Sequence, residues 1–252
     1  MEDQFSRIRM LLGEKKMRAL FDASVAVFGI GGVGGYVVEA LARSGVGKFL
    51  LVDNDMVSLS NINRQIIASH KSLGRPKVEV MKERILDINP NAFVETRECF
   101  FLPENSSSFD FSKWSYIVDA VDTVSAKIEI ICQAKKAGVP VISSMGAGNK
   151  LDPTKFLTAD IYQTSVCPLA RVMRRECKKR GIKDLKVVYS TEKPISPQAA
   201  LDYEQEAQGM EEAAFKKRAP ASAAFVPSVA GLILASQIVM DLTGFDGSGE
   251  KY

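Results

Sequence analysis

The chain has 252 residues, of which 46% are hydrophobic and 25% charged, ordinary values for a soluble globular protein. Its formal net charge is only +3, so any nucleic-acid contact must come from local clusters of cations rather than from bulk charge. The polar N-terminus has no signal-peptide apolar region, and the longest apolar stretch, residues 229–240, falls short of the roughly 20 residues of a membrane span. We expect a cytoplasmic protein in which this stretch is a buried or interface helix, with peripheral membrane contact as the alternative.

Apolar runs rich in strand formers alternate with helical patterns along the first 150 residues. The runs cover residues 24–29, 48–53, 92–96, 115–121 and 139–143, and the helical patterns cover 33–44, 75–88 and 125–137. Such alternation is typical of a parallel sheet with helices wound on both faces. It predicts an α/β fold with a Rossmann-like, doubly wound and mostly parallel sheet, whose core we assign to residues 5–150.

Beyond residue 150 the pattern changes but still predicts parts of the same sheet. We expect a strand over 157–164, a helix over 168–180 and a strand over 186–190. Residues 192–227 are rich in Pro, Ala, Glu, Gln and Lys, which favours a mobile crossover loop, and a last helix spans 228–243. We therefore interpret residues 1–252 as a single domain, in which 151–191 and 228–244 form a C-terminal extension that completes the sheet.

A glycine-rich turn follows the first predicted strand. Gly29, Gly31, Gly32 and Gly34 form the pattern G-x-G-G-x-G, and Asp53 ends the second predicted strand. Glycines at such a turn let backbone N–H groups approach a phosphate at the N-terminus of the next helix, and the acid can accept hydrogen bonds from ribose hydroxyls. This pattern by itself indicates an adenine nucleotide, most often a dinucleotide.

Two cations follow that a dinucleotide site does not need. Arg64 has a planar guanidinium, which suits phosphate oxygens. Lys77 lies in the first turn of a predicted helix, where a cation opposes the helix dipole unless an anion is bound. A glycine turn with one arginine and one lysine favours a triphosphate; the alternative is that both are solvated surface residues.

Two carboxylates stand at the end of the fourth predicted strand. Ligands of doubly wound folds bind at the carboxyl ends of strands, and a carboxylate beside a triphosphate is placed to hold Mg²⁺. Asp122 is our first candidate for this role; Asp119 is the second, and could equally be an internal hydrogen-bonding residue. Thr123 is placed to cap the helix that follows.

The cysteines and the single histidine do not indicate a metal site. Cys99, Cys132, Cys167 and Cys177 form no C-x-x-C pair, so we expect free thiols and no structural zinc. Cys167 is the one thiol whose position, after a strand and before a proline, would let it face a nucleotide. His70 lies in a polar stretch and is expected at the surface rather than in acid–base catalysis.

An ordered set of motifs resembles the ubiquitin-activating-type adenylyltransferases, which include the bacterial enzymes that activate sulfur-carrier proteins. In chain order the motifs are Gly29-x-Gly31-Gly32-x-Gly34, Asp53-x-Asp55, Ser60-Asn61-x-x-Arg64-Gln65, Gly74-x-Pro76-Lys77, Ile88-Asn89-Pro90 and Asp119-x-x-Asp122. The resemblance implies an enzyme in which a carboxylate attacks the α-phosphate of ATP, giving an acyl-adenylate and pyrophosphate.

The same resemblance implies the cofactors and the site residues. The cofactors are ATP and Mg²⁺; Arg64, Lys77 and Asp122 take part in catalysis, and Asp122 holds the metal. The residues expected around the nucleotide are Gly29, Gly31, Gly32, Gly34, Asp53, Asp55, Ser60, Asn61, Arg64, Gln65, Lys77, Asp122 and Thr123.

Two absences separate the chain from the sulfur-carrier branch of that family. That branch usually has two C-x-x-C zinc pairs and often an acyl-accepting cysteine in the crossover loop, and this chain has neither. The segments Pro168-Leu169 and Val188-Tyr189-Ser190-Thr191-Glu192 instead resemble the branch of tRNA threonylcarbamoyladenosine dehydratases. Cys167 is a mild departure, because an acidic residue commonly precedes the Pro-Leu pair. In this branch the carboxylate of a modified tRNA nucleoside is adenylated and an internal nucleophile closes a ring, with no obligatory enzyme thiol.

A tRNA substrate requires cations, and two clusters are candidates. Arg171, Arg174, Arg175 and Lys178 are spaced to form a stripe on one helical face, and residues 216–218, Lys-Lys-Arg, form a second cluster. The alternative is that the stripe is a solvated face. The family resemblance also implies a homodimer in which an N-terminal arginine, Arg7 or Arg9, reaches the partner's ATP.

Three other functions remain open at this stage. One is an adenylyltransferase that activates the C-terminal glycine of a ubiquitin-like sulfur-carrier protein, which would add a carrier or sulfur-transfer partner. Another is a non-catalytic docking subunit, against which the intact Arg64, Lys77 and Asp122 count. The third is a dehydrogenase, which would not need these cations.

Overall fold

Seven strands form a single sheet in the order β3-β2-β1-β4-β5-β7-β6. The structure is a computed structural model that describes residues 3–196 and 220–245. The strands are β1 Ser24–Phe28, β2 Lys48–Val52, β3 Phe93–Arg97, β4 Tyr116–Asp119, β5 Val141–Ser144, β6 Phe156–Asp160 and β7 Lys186–Ser190. All pairings are parallel except that of the edge strand β6 with β7. The predicted doubly wound fold, with a C-terminal extension completing the sheet, is confirmed.

Six α-helices pack on this sheet within the described residues. They are α1 Ser6–Asp22, α2 Gly34–Arg43, α3 Lys77–Ile88, α4 Val124–Ala137, α5 Pro168–Lys179 and α6 Phe225–Thr243. One apolar core joins α1, α2, α3 and α6 to one face of the sheet, and a second joins α4 and α5 to the other. Both faces of the central strands are therefore buried, which explains why their sequences are almost wholly apolar.

Several element boundaries differ from the predicted ones for local reasons. The strand expected over 157–164 ends at Asp160, because its carboxylate accepts hydrogen bonds from the N–H groups of Tyr162 and Leu185 and turns the chain. Helix α3 begins at Lys77, since Pro76 has an extended ψ of 131°. Of the predicted crossover loop over 192–227, residues 197–219 lie outside the described residues, and α6 already begins at Phe225.

The N-terminal segment before β1 forms a helix. Helix α1 runs over 17 residues and is broken at Gly13, whose φ of +75° is in the left-handed region. Its buried residues are Met17 and Leu20, whereas Met10 and Leu11 are 70% and 79% exposed. The first half of α1 therefore presents an apolar surface to its surroundings.

Helix α6 is the apolar C-terminal stretch. Among the described residues it is the one helix long and apolar enough to cross a membrane. Here it packs on α2, where Gly231 lets the two helices approach so closely that an added Cβ would lie 2.5 Å from the carbonyl oxygen of Val33. Its buried positions include Val226, Ala230 and Leu234. The helix thus forms part of the core, and its first turn lies beside the glycine turn.

Candidate active site

A cavity of about 390 Å³ opens at the carboxyl ends of β1, β2 and β4. The register pairs Phe28 with Val52 and with Asp119, so the residues that follow the three strands emerge side by side. The cavity size is within the usual range for a small-molecule site. Of the predicted nucleotide contacts, ten line it: Gly29, Gly31, Gly32, Asp53, Asp55, Asn61, Arg64, Gln65, Lys77 and Asp122.

The glycine turn has two kinds of glycine. Gly29 has φ +89°, and an added Cβ would lie 2.7 Å from the carbonyl oxygen of Ala120; at Gly34 it would lie 1.8 Å from the carbonyl oxygen of Gly29. These two residues are required by the protein's own packing. At Gly31 the nearest atom to an added Cβ is 3.8 Å away. Because Gly31 has no side chain, this part of the cavity wall stays open, and a phosphate can approach the backbone N–H groups.

Asp53 joins the glycine turn to the loop after β2. Its carboxylate accepts hydrogen bonds from the N–H of Ile30 at 2.6 Å and from the N–H of Asp55 at 2.8 Å. Burial raises the pKa of Asp53 above its usual range. The carboxylate therefore fixes the turn that lines the cavity, in addition to the ribose contact expected of it.

Lys77 is a buried cation at the N-terminus of α3. Only 5% of its side chain is exposed, and its Nζ lies 2.7 Å from Oδ2 of Asp55, which itself is 58% exposed. Asp55 thus partly offsets the cost of placing a lysine at the positive end of a helix. Both groups line the cavity, so the ammonium is available to an anion bound there.

The segment after β2 contributes Asn61, Arg64 and Gln65 to the wall. Arg64 donates from Nη1 to the carbonyl oxygen of Ser60 and to Oδ1 of Asn63, which leaves its other guanidinium nitrogens without a side-chain partner among the described residues. Asn61 accepts from the N–H of Ser58 and so ties the start of this segment together. The predicted cation Arg64 is therefore held by the chain but not neutralised.

Gln65 carries an orphaned acceptor. The residue is 6% exposed, and its Oε1 has no hydrogen-bond partner within the part of the chain that the structure describes. Leaving a buried acceptor unpaired costs about 1–3 kcal/mol. Because Gln65 lines the cavity next to Gly31, a ligand with a donor such as a hydroxyl or an amino group would satisfy it.

The two aspartates after β4 have different roles. Asp119 is wholly buried, where it accepts hydrogen bonds from Nζ of Lys127 at 3.1 Å and from the hydroxyl of Ser143 at 2.5 Å. Of the two roles considered for Asp119, metal ligand and internal hydrogen-bonding residue, the structure shows the second. Asp122 is exposed and lines the cavity, so it is the carboxylate free to meet a metal.

The donor set fits Mg²⁺ brought in with a nucleotide. Magnesium at such sites binds through one or two carboxylates and completes its shell with substrate phosphates and water. No ready-made cluster of three or more metal-ligating side chains occurs among the described residues. Asp122 would supply one oxygen, and the remaining ligands would come from the phosphates and solvent.

Three predicted contacts lie outside the cavity wall. Gly34 packs against the turn, and Ser60 is exposed with its hydroxyl near that of Ser58. Thr123 is the N-cap of α4, but the prediction that its side chain caps the helix is wrong. Its hydroxyl instead donates to Oδ1 of Asp122, 3.2 Å away. Thr123 therefore orients the carboxylate that lines the cavity.

Two walls of the cavity consist of residues that were not predicted from the sequence. The first wall is Cys99-Phe100-Phe101, which follows β3. Its position at the carboxyl end of a strand next to β2 could have identified it, because ligands of such sheets bind there. The second comes from the C-terminal region and includes Pro220, Ser222 and Pro227. No local pattern marks it, since it depends on the packing of α6 against α2.

Asn149 holds the start of this second wall. Its N–H donates to the carbonyl oxygen of Ala221, its Oδ1 accepts from the N–H of Ala221, and its carbonyl oxygen accepts from the N–H of Ile195. Asn149 has φ 57°, a conformation that asparagine tolerates better than most residues. One residue thus ties both described ends of the crossover segment to the loop after β5.

The cysteines are distributed differently from expectation. Cys167 is 3% exposed and packs in the core with α5, so it does not line the cavity. Cys99 does line it, and burial raises the pKa of its thiol. His70 is exposed, as predicted. The thiol nearest to a bound ligand is therefore Cys99 and not Cys167.

Comparison with known proteins identifies the family. The model of the ThiF family matches residues 5–251. The tRNA threonylcarbamoyladenosine dehydratase of Bacillus subtilis (strain 168) is 45% identical over 242 residues, which are 95% of this chain and 94% of that protein. A crystal structure of the Escherichia coli tRNA N6-threonylcarbamoyladenosine dehydratase in complex with ATP is 30% identical, with a TM-score of 0.84, and covers 98% of this chain and 96% of that one.

An adenylyltransferase matches over a shorter stretch. The molybdopterin-synthase adenylyltransferase of Salmonella typhimurium (strain LT2) is 36% identical over 125 residues, 50% of each chain. The similarity to the dehydratases therefore extends into the C-terminal region that walls the cavity. With its glycine turn, its two cavity cations and its match over nearly the whole length, the chain belongs to the ThiF family.

Proposed function

We propose that this chain is an ATP-dependent dehydratase that adenylates the carboxylate of threonylcarbamoyladenosine in tRNA and promotes its cyclisation. The observation that carries the proposal is one cavity lined by the glycine turn, Arg64, Lys77 and Asp122. The cations can bind the triphosphate of ATP. The substrate carboxylate is itself the nucleophile that attacks the α-phosphate, so the reaction needs no nucleophile from the enzyme. The dehydratases that match this chain over nearly their whole length support the same reaction.

The reaction balances in two steps. An oxygen of the substrate carboxylate attacks the α-phosphorus of ATP; the bond from that phosphorus to the bridging oxygen breaks, and pyrophosphate leaves. A nitrogen or oxygen within the same nucleoside then attacks the activated acyl carbon, a ring closes and AMP leaves. The net result is loss of one water from the nucleoside, with ATP converted to AMP and pyrophosphate.

The chain's own residues stabilise the charge that develops on the phosphates. Lys77 is buried and preorganised by Asp55, and Arg64 is held through its Nη1, so neither cation must reorganise when the α-phosphate is attacked. Mg²⁺, when bound by Asp122 and the phosphates, would withdraw charge from the leaving pyrophosphate. Gln65 supplies a buried acceptor for a donor group of the nucleotide.

The carrier-protein alternative has weaker support. Residues 192–227 contain no cysteine, and Cys167 is buried away from the cavity, so no thiol other than Cys99 lies where a thioester would form. Cys99 is half-buried, and its thiol has a raised pKa, which reduces the thiolate fraction needed for such an attack. A direct cyclisation needs no such thiol.

We further propose a homodimer in which Arg7 is the arginine that reaches the partner's ATP. Arg9 is held within its own subunit, where it donates to both carboxylate oxygens of Asp3 and lies 3.0 Å from Glu14. Arg7 is exposed and has no side-chain partner among the described residues. The exposed Met10 and Leu11 on the same helix offer apolar area to a partner.

Mixing two inactive variants tests this arrangement. Arg7→Ala and Asp122→Asn subunits, each inactive alone, would form mixed dimers with one intact site, restoring up to about a quarter of the wild-type activity if dimers exchange freely. Two inactive variants that stay inactive after subunit exchange would contradict action in trans.

Pyrophosphate release measured with three substrates tests the function itself. We expect release with tRNA carrying threonylcarbamoyladenosine and none with unmodified tRNA or with a ubiquitin-like carrier protein. Thermal melting is the second readout: ATP with Mg²⁺ should raise the melting temperature, whereas NAD⁺ should not. Release with the carrier alone would favour the adenylyltransferase, and equal stabilisation by NAD⁺ would overturn the nucleotide assignment.

A further inference from the structure

Helix α5 divides its residues cleanly between an apolar and a basic face. Ala170, Met173 and Cys177 are buried in the core, at i, i+3 and i+7. Arg171, Arg175 and Lys178 are exposed on the opposite face, at i, i+4 and i+7. These three cations therefore form a row about 10 Å long, given the 1.5 Å rise per residue.

Charge is concentrated in this part of the chain. Residues 168–183 contain seven Lys and Arg and one Glu, a net charge of +6, whereas the whole chain carries +3. The rest of the molecule is therefore net −3. A basic segment on an otherwise acidic protein produces a local positive potential, which an anionic partner would detect despite the low total charge.

Not all these cations are available. Arg174 is turned onto the carbonyl and hydroxyl oxygens of Thr164, and Glu176 accepts from Lys179 and Arg180. Arg171 and Lys178, by contrast, have no side-chain partner among the described residues. Arg174 therefore does not belong to the predicted basic stripe, because it holds the preceding turn. Arg171 and Lys178 are the cations of the stripe that are free to bind.

The position of Arg171 is unfavourable for an isolated helix. It lies in the first turn of α5, at the positive end of the helix dipole, where no acidic residue accompanies it. A cation there costs a few tenths of a kcal/mol or more. An anion bound to Arg171 would remove that cost. Solvation alone does not explain why a cation stands at this end of the helix.

The basic row starts beside the active-site cavity. An added Cβ on Gly146 would lie 3.9 Å from Cβ of Leu169, so the first turn of α5 lies against the loop after β5. The next residues of that loop, Ala147 and Gly148, line the cavity. A polyanion lying along α5 would therefore pass the edge of the cavity.

We propose that Arg171, Arg175 and Lys178 form a surface that binds the phosphate backbone of the tRNA substrate and leads its modified nucleoside to the cavity. This proposal rests on the proposed function and adds the surface by which the substrate is held. Cation contacts to phosphates position the nucleic acid without reading its sequence. Regular spacing and proximity to the cavity favour all three cations, and the lack of a side-chain partner among the described residues favours Arg171 and Lys178. Arg175 lies 3.4 Å from Oε1 of Glu176, a surface pair that a phosphate can replace.

A matched pair of double variants tests the surface. Arg171→Glu with Lys178→Glu changes the net charge by −4, and the control Lys82→Glu with Lys113→Glu makes the same change on α3 and in the loop before β4. Binding of tRNA carrying threonylcarbamoyladenosine is measured by filter binding between about 50 and 200 mM KCl. Melting with and without ATP checks that each variant keeps its fold and its nucleotide site.

We expect the α5 variant to bind tRNA about tenfold more weakly and to lower the slope of log Kd against log salt by about 2, with the control near wild type. At saturating tRNA its kcat should be close to wild type, so that the loss appears in KM. Equal weakening by both variants, or by neither, would overturn the surface. Loss of binding to anionic vesicles with unchanged tRNA affinity would overturn it in favour of a membrane contact.

The design separates this proposal from the function on which it depends. If the wild-type protein converts the modified tRNA and the α5 variant binds it unchanged, only the surface is wrong. If the wild-type protein neither binds nor converts the modified tRNA, the proposed function fails and the surface fails with it.

Discussion

The ammonium of Lys127 donates to the carboxylate of Asp119 at 3.1 Å, and neither side chain reaches solvent. The same ammonium donates to the carbonyl oxygen of Val121 at 2.9 Å. A lysine in α4 thus joins the end of β4 to the loop that carries Asp122. A buried ion pair is tolerated when further hydrogen bonds satisfy both partners, as they do here.

Replacing Lys127 with Met should lower the free energy of unfolding by about 3–5 kcal/mol, because Asp119 would become an unpaired buried charge. The double variant Lys127→Met with Asp119→Asn should recover part of this loss, since no charge remains in the core. Urea denaturation followed by circular dichroism measures both. A Lys127→Met protein as stable as wild type would contradict the structural role of the pair.

Replacing Asp122 with Asn should abolish adenylation while leaving the fold intact. The amide keeps the shape of the side chain but loses the charge proposed to hold Mg²⁺, a contribution of several kcal/mol, or about a hundredfold or more in rate. Pyrophosphate release across a Mg²⁺ titration measures the effect, with the exposed Asp87→Asn as control. Activity that survives at ordinary Mg²⁺ concentrations would remove Asp122 from the metal site.

Glu39 should make stability depend on acid pH. Burial raises its pKa, but hydrogen bonds from Arg84 and Arg43 outweigh this and hold the pKa below its ordinary value of 4.5. A lowered pKa stabilises the fold above about pH 4.5, and this stabilisation is lost as pH falls through the lower, folded-state pKa. Glu39→Gln should therefore cost about 1.5–3 kcal/mol at pH 7.

The measurement for Glu39 is a series of urea titrations at several pH values. The difference between wild type and Glu39→Gln should shrink steadily below pH 4.5. A difference that stays constant down to the lowest pH at which the protein folds would show that packing, and not charge, accounts for it. Glu129→Gln, at a half-buried position in α4, is the control.

Thiol reactivity should report on the cavity. Cys99 lines the cavity and is half-buried, so iodoacetamide should modify it and ATP should slow the reaction. Cys177 is wholly buried, and burial raises its pKa to about 11, so it should stay unmodified in the folded protein. Mass spectrometry of digests measures both. Unchanged modification of Cys99 in the presence of saturating ATP would place the nucleotide elsewhere.

A variant with all four cysteines replaced by Ser or Ala should keep most of its turnover, provided it folds. The proposed cyclisation uses a nucleophile of the substrate, so loss of the thiols should reduce stability more than rate. A folded Cys99→Ala protein that forms the adenylate but releases no product would overturn this expectation and favour a covalent thioester.

Patterns within short segments were enough to predict the strands, the helices of the sheet and the glycine turn of this protein. Alternation of apolar strands and helices predicted the sheet, because both faces of a doubly wound sheet are buried. The glycine pattern and the cations Arg64 and Lys77 predicted a triphosphate cavity, and all of them but Gly34 line it. These features are local, since a turn or a helix terminus sets its own requirements on the residues nearby.

The residues that complete the site could not be predicted in this way, because they are brought together by tertiary packing. In the sequence, Asp119 and Asp122 both stand at the end of the fourth predicted strand. In the structure, Asp119 is buried against Lys127 and Ser143, whereas Asp122 lines the cavity. Pro227 reaches the glycine turn because α6 packs on α2, a contact between residues nearly 200 positions apart. Burial and pairing depend on which distant segments meet, and no pattern within one segment records that.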